Sequence, residues 1–485
     1  MAPRFLRELI PRREKRAASG SVVVAFKSLT WVQWIQFWSG WLAWTCDAID
    51  FFAVSLTVNL LAEQFNESTT SITTAITLTL LFRPVGAIIF GILSDRFGRK
   101  WPLVFNLLLC CVFELATGFV STFPQFLGVR AIFGIAMGGI WGLSSASALE
   151  NLPVELRGIG SGVLQEGYAV GYLLAAVINL TLVAQHGWRV LFWTASGISF
   201  FAAGIRMLVP ESAFFLRAKE QERARGTNTS HKTKTFIKET KAMLKRHWLL
   251  CIYAVLLMTG FNFLSHGSQD LYPTFLEDSK SFSTHDATVA TIIGNCGAVA
   301  GGAIAGSVSQ YIGRRLTIVI FILLVGAFIP LWVIPTSFSA LSAGAFCIQV
   351  GVQGAWGVIP IQLAEMSPPA FRATFPGVAY QIGNMISAAS AQIEATGAAN
   401  LRTTVIVDGV PKSEANYATV QAIFIGVVSA FVVIITIIGP ENHGSHFENH
   451  KTAFEEGGGR DDAVAVADSA SQTSFREANS EKSNA

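Results

Sequence analysis

Long apolar runs, separated by short polar segments, dominate the chain from residue 34 to residue 439. Twelve such runs can be distinguished, and each has about the 20 residues that an α-helix needs to cross the hydrocarbon core of a bilayer. The pattern predicts twelve transmembrane helices, numbered here as spans 1 to 12. Their predicted limits are 34–61, 71–92, 101–121, 125–147, 158–183, 188–209, 248–273, 287–310, 315–335, 339–363, 373–395 and 417–439.

The placement of basic residues predicts the orientation. An even number of spans places both termini on one side of the membrane. The loops 62–70, 122–124 and 335–339 carry no Lys or Arg, whereas the alternate short loops are basic. Cationic loops remain in the cytoplasm, so we expect both termini to be cytoplasmic. The basic loop residues are Arg96, Arg99, Lys100, Arg157, Arg314, Arg315 and Arg372.

The segments outside the spans divide the chain into five parts. Residues 1–33 form a basic tail, 34–209 and 248–439 form two six-helix bundles, and 210–247 form a basic central loop. That loop is either a linker that sets topology or a partly helical segment along the membrane surface. Residues 440–485 are too polar to bury a core, and we expect them to be disordered. The tails are the expected places for regulatory partners.

Composition agrees with a membrane protein. Hydrophobic residues make up 51% of the chain and charged residues 14%, against about 25% charged in soluble proteins. The net charge of +3 is too small to indicate a nucleic-acid partner. The six cysteines all lie in apolar runs without zinc-binding spacing, so we expect buried thiols, no metal and no cofactor.

The two halves of the sequence are related by an internal repeat. At an offset of 215 residues, Gly98, Arg99, Glu150 and Arg157 fall on Gly313, Arg314, Glu365 and Arg372. Farther on the register slips by one residue, since Gln165 corresponds to Gln381. Two six-helix repeats are the organisation of major facilitator transporters. The predicted fold class is therefore an all-α membrane protein of twelve transmembrane helices in two six-helix repeats.

The loop between spans 2 and 3, Gly91-Ile-Leu-Ser-Asp-Arg-Phe-Gly-Arg-Lys100, resembles the major facilitator signature at this location. The resemblance implies that Asp95 and Arg99 stabilise the outward-facing state, with Glu150 and Arg157 in the same charged layer. In the second repeat Gln310 stands where the first has Asp95. A tight turn with topology-setting cations is the alternative interpretation.

Charged residues inside spans are costly, by about 2.5–3.5 kcal/mol on insertion scales, and are therefore functional candidates. Asp47 and Asp50 lie in span 1, Arg83 in span 2 and Arg130 in span 4. An anionic substrate needs a cation, and Arg83 is the first choice because guanidinium binds carboxylates bidentately. The alternative for Arg83 is a structural ion pair with Asp47 or Asp50. Arg130 is the second choice and has the same alternative.

Span 7 carries one polar stripe at helical spacing. A histidine next to an aspartate can change protonation near neutral pH, so His266 and Asp270 are candidates for proton coupling. Asp47 and Asp50 compete for that role, because burial alters the protonation of a carboxyl group. A structural histidine is the alternative. The stripe consists of Asn262, Ser265, His266, Gln269, Asp270 and Pro273.

The run Asn262-Phe-Leu-Ser-His-Gly-Ser-Gln-Asp-Leu-Tyr-Pro-Thr274 resembles the Asn-x-x-Ser/Thr-His-x-x-Gln-Asp-x-x-Pro-Thr signature of the fungal JEN family of lactate/pyruvate proton symporters. Span 1 is also similar to that family and to the related sialate transporters. The resemblance implies that Asn262, His266 and Asp270 line the translocation path, that Arg83 pairs with the substrate, and that Gln381 and Asn384 form a polar pair in span 11. Helix-packing hydrogen bonds are the alternative for that pair.

These observations predict a plasma-membrane symporter that imports short monocarboxylates such as lactate or pyruvate with a proton. A dicarboxylate or sialate symporter of the same superfamily is the alternative within transporters. A carboxylate receptor that transports nothing is the alternative outside them. An enzyme is not expected, because the sequence has no nucleophile elbow, phosphate-binding loop or metal cluster.

Overall fold

The computed structural model describes residues 22–211, 216, 229–368, 374–407 and 410–441, and it describes the backbone of Asp95 without its side chain. Three of the predicted segments therefore lie outside the described residues. They are the C-terminal tail, for which we expect disorder, most of the basic central loop, and the basic N-terminal residues up to Arg16. Arg372 also lies outside the described residues. Within the described residues, each of the twelve apolar runs is helical.

Seven of the described spans are single continuous helices. They are Thr69–Phe97, Lys100–Thr117, Arg189–Leu208, Thr284–Ile312, Arg314–Val333, Phe338–Met366 and Tyr417–Ile438. Five spans contain a break or a change of helix type. In the first half, span 1 is Trp31–Leu56 with Val58–Phe65, and span 4 is Phe123–Met137 with Ile140–Leu149. Span 5 is Arg157–Ile178, followed by the π-helical turn Asn179–Val183 and by Ala184–His186. In the second half, span 7 is Thr229–Gln269 with Tyr272–Lys280, and span 11 is Thr374–Ser387 with Ser390–Asn400.

The helices have the dimensions of membrane spans. Ten are long and apolar enough to cross a bilayer, and span 1, bent by 55°, is an eleventh. Span 11 is divided into helices of 14 and 11 residues, which together make the twelfth. Large apolar side chains such as Phe200 and Val427, 63% and 66% exposed, cover the outside of the described bundle. Such a surface is expected for a multi-pass membrane protein, because its apolar side chains face the lipid bilayer and not water.

Four short elements were not predicted from the apolar runs. A helix, Val22–Lys27, precedes span 1, and a 3-10 turn, Val154–Leu156, precedes span 5. Strands β1, Arg402–Val407, and β2, Val410–Ala415, form an antiparallel hairpin between spans 11 and 12, with Arg402 opposite Ala415. The helix of span 7 begins at Thr229 and leaves helical geometry at His247 (φ −111°, ψ 24°), immediately before the predicted span.

The repeat is visible in backbone conformation. Gly98 and Gly313, 215 residues apart, have φ angles of 96° and 95° at the ends of spans 2 and 8. A left-handed φ is readily adopted only by glycine, so the two equivalent turns require it. The turns lie at the end of the bundle that also holds the start of span 1 and the end of span 12, called here the terminal end. The end with the hairpin is called the opposite end.

The two halves approach closely along spans 5 and 8. A Cβ atom added to Gly162 would lie 2.5 Å from the carbonyl oxygen of Gly302, and one added to Gly306 would lie 2.8 Å from that of Gly158. Any larger residue would push the halves apart. The interior between them is filled by fully buried aromatic side chains, among them Trp44, Phe51, Phe52 and Trp141.

Candidate functional site

Arg83 of span 2 forms an ion pair with Asp47 of span 1 in the middle of the bundle. Its Nη2 atom lies 2.5 Å from Asp47 Oδ2, and both residues are at most 1% exposed. The Arg83 Nε atom and Asp47 Oδ1 are buried and have no hydrogen-bond partner. The pair expected as the structural alternative for Arg83 is therefore formed, but it leaves a donor of the guanidinium unused.

An aromatic cluster drawn from both halves surrounds this ion pair. The ring of Tyr380, in span 11, stacks on Trp141 at 4.5 Å and meets Trp356 at 5.7 Å and Trp44 at 6.2 Å, edge to face. Trp44 also stacks on Tyr168 at 5.3 Å. The phenol groups of Tyr168 and Tyr380 interact electrostatically with Arg83. The guanidinium thus lies close to an aromatic cluster, called here the aromatic chamber, to which both halves contribute.

Arg130, the second cation expected in the site, belongs to a separate cluster in the first half. Its Nη1 atom donates to Glu114 Oε2 at 2.8 Å, and its guanidinium lies over the Phe133 ring at 4.1 Å. Asp50 is in the same region and accepts a hydrogen bond from Ser199 at 3.1 Å. Arg130 therefore has the structural ion pair that was the alternative for it.

A hydrogen-bonded chain links span 7 to span 4 through span 11. His266 Nδ1 faces the Asp270 carboxyl group, with its Oδ2 atom at 3.0 Å and Oδ1 at 3.2 Å. His266 Nε2 lies 3.1 Å from Asn384 Oδ1, Asn384 donates to Gln381 Oε1 at 2.8 Å, and Gln381 donates to the Gly138 carbonyl at 3.1 Å. Gly138 lies in the break of span 4, so the chain crosses between the two halves.

The carbonyl of Gly138 sets the direction of every bond in this chain. A carbonyl oxygen only accepts, so Gln381 must present its amide nitrogen and leave its oxygen for Asn384. Asn384 then presents its oxygen to His266, whose Nε2 atom must carry a hydrogen. The remaining nitrogen, Nδ1, and the Asp270 carboxyl group need one shared proton, because otherwise two acceptors would face each other. The geometry of this pair therefore favours a proton between His266 Nδ1 and the Asp270 carboxyl group.

Asn262 and Gln269 connect span 7 to its neighbours by other contacts. The Asn262 amide donates to the carbonyls of Met258 at 2.8 Å and Tyr380 at 3.3 Å. The carbonyl of Gln269 accepts from the Tyr172 hydroxyl of the first half at 3.0 Å. The ring of Phe51, four residues after Asp47, lies 5.4 Å from that of His266. The polar stripe of span 7 therefore faces the same interior as Arg83.

Contacts between the halves close both ends of this interior. At the opposite end, Asn59 donates to Glu277 Oε2 at 2.6 Å, and Gln392 donates to Thr70 and Thr74. At the terminal end, Ser161 donates to the carbonyl of Gly357 at 2.8 Å. Hydrogen bonds of the described residues therefore join the halves at both ends.

The predicted charged layer lies at the terminal end. Arg99 forms an ion pair with Glu150 at 3.0 Å and donates to Ser94 Oγ at 3.1 Å. Their repeat equivalents do the same: Arg314 binds both carboxylate oxygens of Glu365 at 3.0 and 3.1 Å and donates to Ser309.

Two other members of that layer donate to backbone carbonyls. Arg157 donates through Nε to the Leu152 carbonyl at 3.2 Å. Gln310, where the second repeat lacks the acid, donates to the Glu155 carbonyl of the first half at 3.3 Å. Asp95 lies near the end of span 2, and its side chain is outside the described residues.

No group of three or more potential metal-ligating side chains occurs in the part of the chain that the structure describes. The six cysteines are free, but the expectation that all are buried is wrong. Cys46 and Cys110 are buried, Cys111, Cys251 and Cys347 are partly exposed, and Cys296 is exposed. Cys296 lies on span 8, where an exposed side chain faces lipid. A weakly polar thiol is tolerated in that environment.

Two buried carboxyl groups were missed in the sequence although a signal for them was present. Glu114 and Glu394 lie inside the apolar runs of spans 3 and 11, and both are 0% exposed. A search for every charge within a predicted span would have found them. The aromatic cluster had no such signal, because aromatic residues are common in every span.

The twelve-helix architecture in two repeats, with its buried polar interior, defines a membrane transporter. The sequence model of the Major Facilitator Superfamily matches residues 12–391, and the chain belongs to that superfamily. It is therefore a transporter and not an enzyme. The expected fold class and the family resemblance are confirmed by this match.

The chain is similar to two curated transporters in sequence and to one solved structure in fold. The carboxylic acid transporter protein homolog of Saccharomyces cerevisiae is 36% identical over 428 residues, which cover 86% of this chain and 69% of the yeast protein. The sialic acid transporter NanX of Escherichia coli is 24% identical over 339 residues, 70% of this chain and 80% of NanX. The proton:xylose symporter XylE, in complex with 6-bromo-6-deoxy-D-glucose, has the same fold, with a TM-score of 0.65 at 18% identity over 86% of this chain and 98% of XylE.

Proposed function

We propose that this transporter carries short monocarboxylates, such as lactate or pyruvate, into the cell together with a proton. The observation that carries the proposal is the Arg83 guanidinium, which lies close to the aromatic cluster and has a buried Nε donor without a partner. The yeast relative, whose name describes a carboxylic acid transporter, supports an acid as the substrate.

Arg83 has the chemistry of a carboxylate-binding group. Its Nη2 atom is occupied by Asp47, while Nε is unused. A substrate carboxylate that takes Nε and an Nη atom would form the bidentate pair that guanidinium favours. When no substrate is bound, Asp47 pairs with Arg83 and holds its side chain in position. The buried positive charge of Arg83 is therefore not left unpaired.

The aromatic chamber favours a short substrate. Tyr380 contacts Trp44, Trp141 and Trp356, so the space next to Arg83 is limited by large, buried rings from both halves. A two-carbon or three-carbon acid exposes little apolar surface and requires little displacement of these rings. We infer that ring packing restricts the length of the acid.

His266 and Asp270 are the groups to which we assign the proton. Their hydrogen-bond pattern requires one shared proton, and the chain through Asn384 and Gln381 ends on Gly138 in the other half. A Cβ atom on Gly138 would lie 2.0 Å from the Arg83 carbonyl oxygen, so this backbone packs directly on the substrate helix. Loss of the proton would leave two acceptors, His266 Nδ1 and the Asp270 carboxylate, facing each other, and would thereby destabilise the span 7 end of the chain that links the halves. Asp47 and Asp50 remain the competing proton carriers.

Proton coupling is also sensible energetically. An anion entering a cell alone moves against an inside-negative potential at a cost of about 2.3 kcal/mol per 100 mV. An anion accompanied by one proton moves no net charge. Uptake can then be driven by the pH gradient alone.

Transport would follow from alternate opening of the two closed ends. We assign the terminal end to the cytoplasm, because its loops carry the basic residues, and we place the protein in the plasma membrane. Arg99 and Glu150, together with Asp95 and Arg157, are the proposed gating residues of that end. Asn262, Gln381 and Asn384 are assigned to the substrate site next to Arg83 and His266. Regulatory partners are proposed for the two tails.

A dicarboxylate substrate is the second candidate, and one observation favours it. Protonated His266 is a second cation in the same interior as Arg83, and two cations can hold two carboxylates. A sialate substrate has the support of the NanX relation alone.

Uptake of radiolabelled lactate tests the proposal. The protein is expressed in a host without its own carboxylate transport, and uptake is measured with and without an inward proton gradient. We expect accumulation only with the gradient, and competition by pyruvate stronger than competition by succinate or sialate. Stronger competition by succinate selects the dicarboxylate alternative. Saturable binding without accumulation of any of these acids would indicate a receptor.

A further inference from the structure

Span 11 carries a line of fully buried polar side chains that leads away from the histidine site. The spacing of three to four residues places them on one face of the broken helix. Each of them is 0% exposed. The members of the line are Gln381, Asn384, Ser387, Ser390 and Glu394. The line begins at the chain that holds His266 and runs toward the opposite end, where it stops at a carboxyl group.

That carboxyl group, Glu394, has no cationic partner among the described residues. Its only hydrogen bond is accepted from the Gln421 amide of span 12, at 2.9 Å. Its other oxygen, Oε1, and Gln421 Oε1 are both buried acceptors without a partner. A carboxylate in such surroundings is strongly disfavoured, whereas a neutral carboxylic acid supplies the one donor that the pair lacks. The surroundings of Glu394 therefore favour its protonated form.

The other groups around Glu394 do not offer a compensating positive charge. Asp270 of span 7 interacts with it electrostatically, as does Tyr417 of span 12. Span 2 contributes Thr70 and Thr74, which accept hydrogen bonds from the neighbouring Gln392. The negative charge of either Glu394 or Asp270 disfavours that of the other, so protonation of one acid depends on the charge of the other.

We propose that Glu394 is a second proton-binding site of the transporter, placed on the outer side of the His266–Asp270 pair and supplying it with protons. This inference rests on the proposed proton symport. An external hydronium ion protonates the Glu394 carboxylate, and neutral Glu394 then transfers that proton to the Asp270 carboxylate. Glu394 regains its negative charge in this step and is protonated again from outside.

Glu394→Gln tests the inference, because the amide preserves a neutral hydrogen-bonding side chain and removes only the titratable proton. We expect lactate uptake driven by a proton gradient to fall by at least about tenfold, as for loss of a general acid. Exchange of external for internal labelled lactate needs no net proton movement and should remain near the wild-type rate. Glu394→Asp, which retains a carboxyl group, should restore gradient-driven uptake with a shifted external pH profile.

The opposite results would overturn the inference. Gradient-driven uptake by Glu394→Gln at the wild-type rate, or an equal loss of exchange and uptake, would assign Glu394 a purely structural role. If Glu394→Gln does not reach the membrane, Glu394→Asp is measured instead over a range of external pH, and a pH profile of gradient-driven uptake identical to that of the wild type counts against the site. Absence of proton-driven accumulation in the wild type would instead refute the proposed symport itself.

Discussion

The Nε2 atom of His266 lies 3.1 Å from the Oδ1 atom of Asn384, and this bond joins spans 7 and 11 at the centre of the transporter. Gln381 donates to the carbonyl of Gly138, and this bond fixes the orientation of Asn384. Because Asn384 then presents its oxygen to His266, the Nε2 atom of the histidine carries the hydrogen. The proton that remains is shared with Asp270. The contact between spans 7 and 11 of the second half thus depends on the position of Gly138 in span 4 of the first half.

Loss of the His266–Asp270 pair should separate coupling from exchange. In Asp270→Asn and in His266→Ala we expect no accumulation driven by a pH gradient, because neither variant retains the shared proton. Exchange of labelled for unlabelled lactate should persist. Ser268→Ala, two residues from each of them on the same helix, is the matched control and should behave as wild type.

Normal proton-driven accumulation in a His266→Ala, Asp270→Asn double variant would exclude this pair as the carrier. The proton would then be assigned to span 1, where Asp47 and Asp50 are both at most 1% exposed.

Replacement of Arg83 by lysine should weaken substrate binding without removing the charge. Lysine can still pair with Asp47, but it cannot present the planar fork that binds a carboxylate through two nitrogen atoms. We expect lactate affinity to fall by about tenfold or more, which corresponds to about 1.4 kcal/mol. Binding is measured on purified protein, with surface expression as the control. Near-normal affinity would remove Arg83 from the substrate site.

The ring of Tyr380 should limit the length of the acid. Tyr380→Ala removes contacts with three tryptophans and opens the aromatic chamber, so phenyl-substituted lactate should become an effective competitor of lactate uptake. Tyr380→Phe retains the ring and is the matched control, which should still exclude the bulky acid. Equal competition in the two variants would contradict a size limit set by this ring.

The two ends should be controlled by separate contacts. Glu150→Gln weakens the ion pair with Arg99 at the terminal end, and Asn59→Ala removes the bond to Glu277 at the opposite end. A hydrogen bond to a charged group contributes about 1.5–3 kcal/mol, enough to change an open population by about tenfold.

Spin-label distances on a cysteine-free background measure these populations. Labels at Arg96 and Tyr311 report on the terminal end, and labels at Glu67 and Asp286 report on the opposite end. We expect each variant to lengthen only the distances at its own end, so each serves as the control for the other. Equal changes at both ends in either variant would show that its contact is not a gate.

The apolar runs by themselves determined the fold. A helix that crosses hydrocarbon must be long, apolar and internally hydrogen-bonded. The number and position of the spans therefore follow from local runs of apolar residues. The repeat was also visible, because turns such as Gly98 and Gly313 require the same residue in both halves. The hairpin between spans 11 and 12 was not predicted, since its strands are short and it packs on other elements.

The chemistry of the site depends on which side chains meet, and only the tertiary structure decided that. The sequence named Arg83, His266, Asp270, Gln381 and Asn384 as candidates, but it left open whether an ion pair formed and where Arg130 pointed. Those questions concern distances between spans that are far apart along the chain, and helical periodicity reports only on neighbours in one helix. The pairing of Arg130 with Glu114, the direction of the hydrogen bonds ending on Gly138, and the isolation of Glu394 each arise from packing between helices, which no local pattern contains.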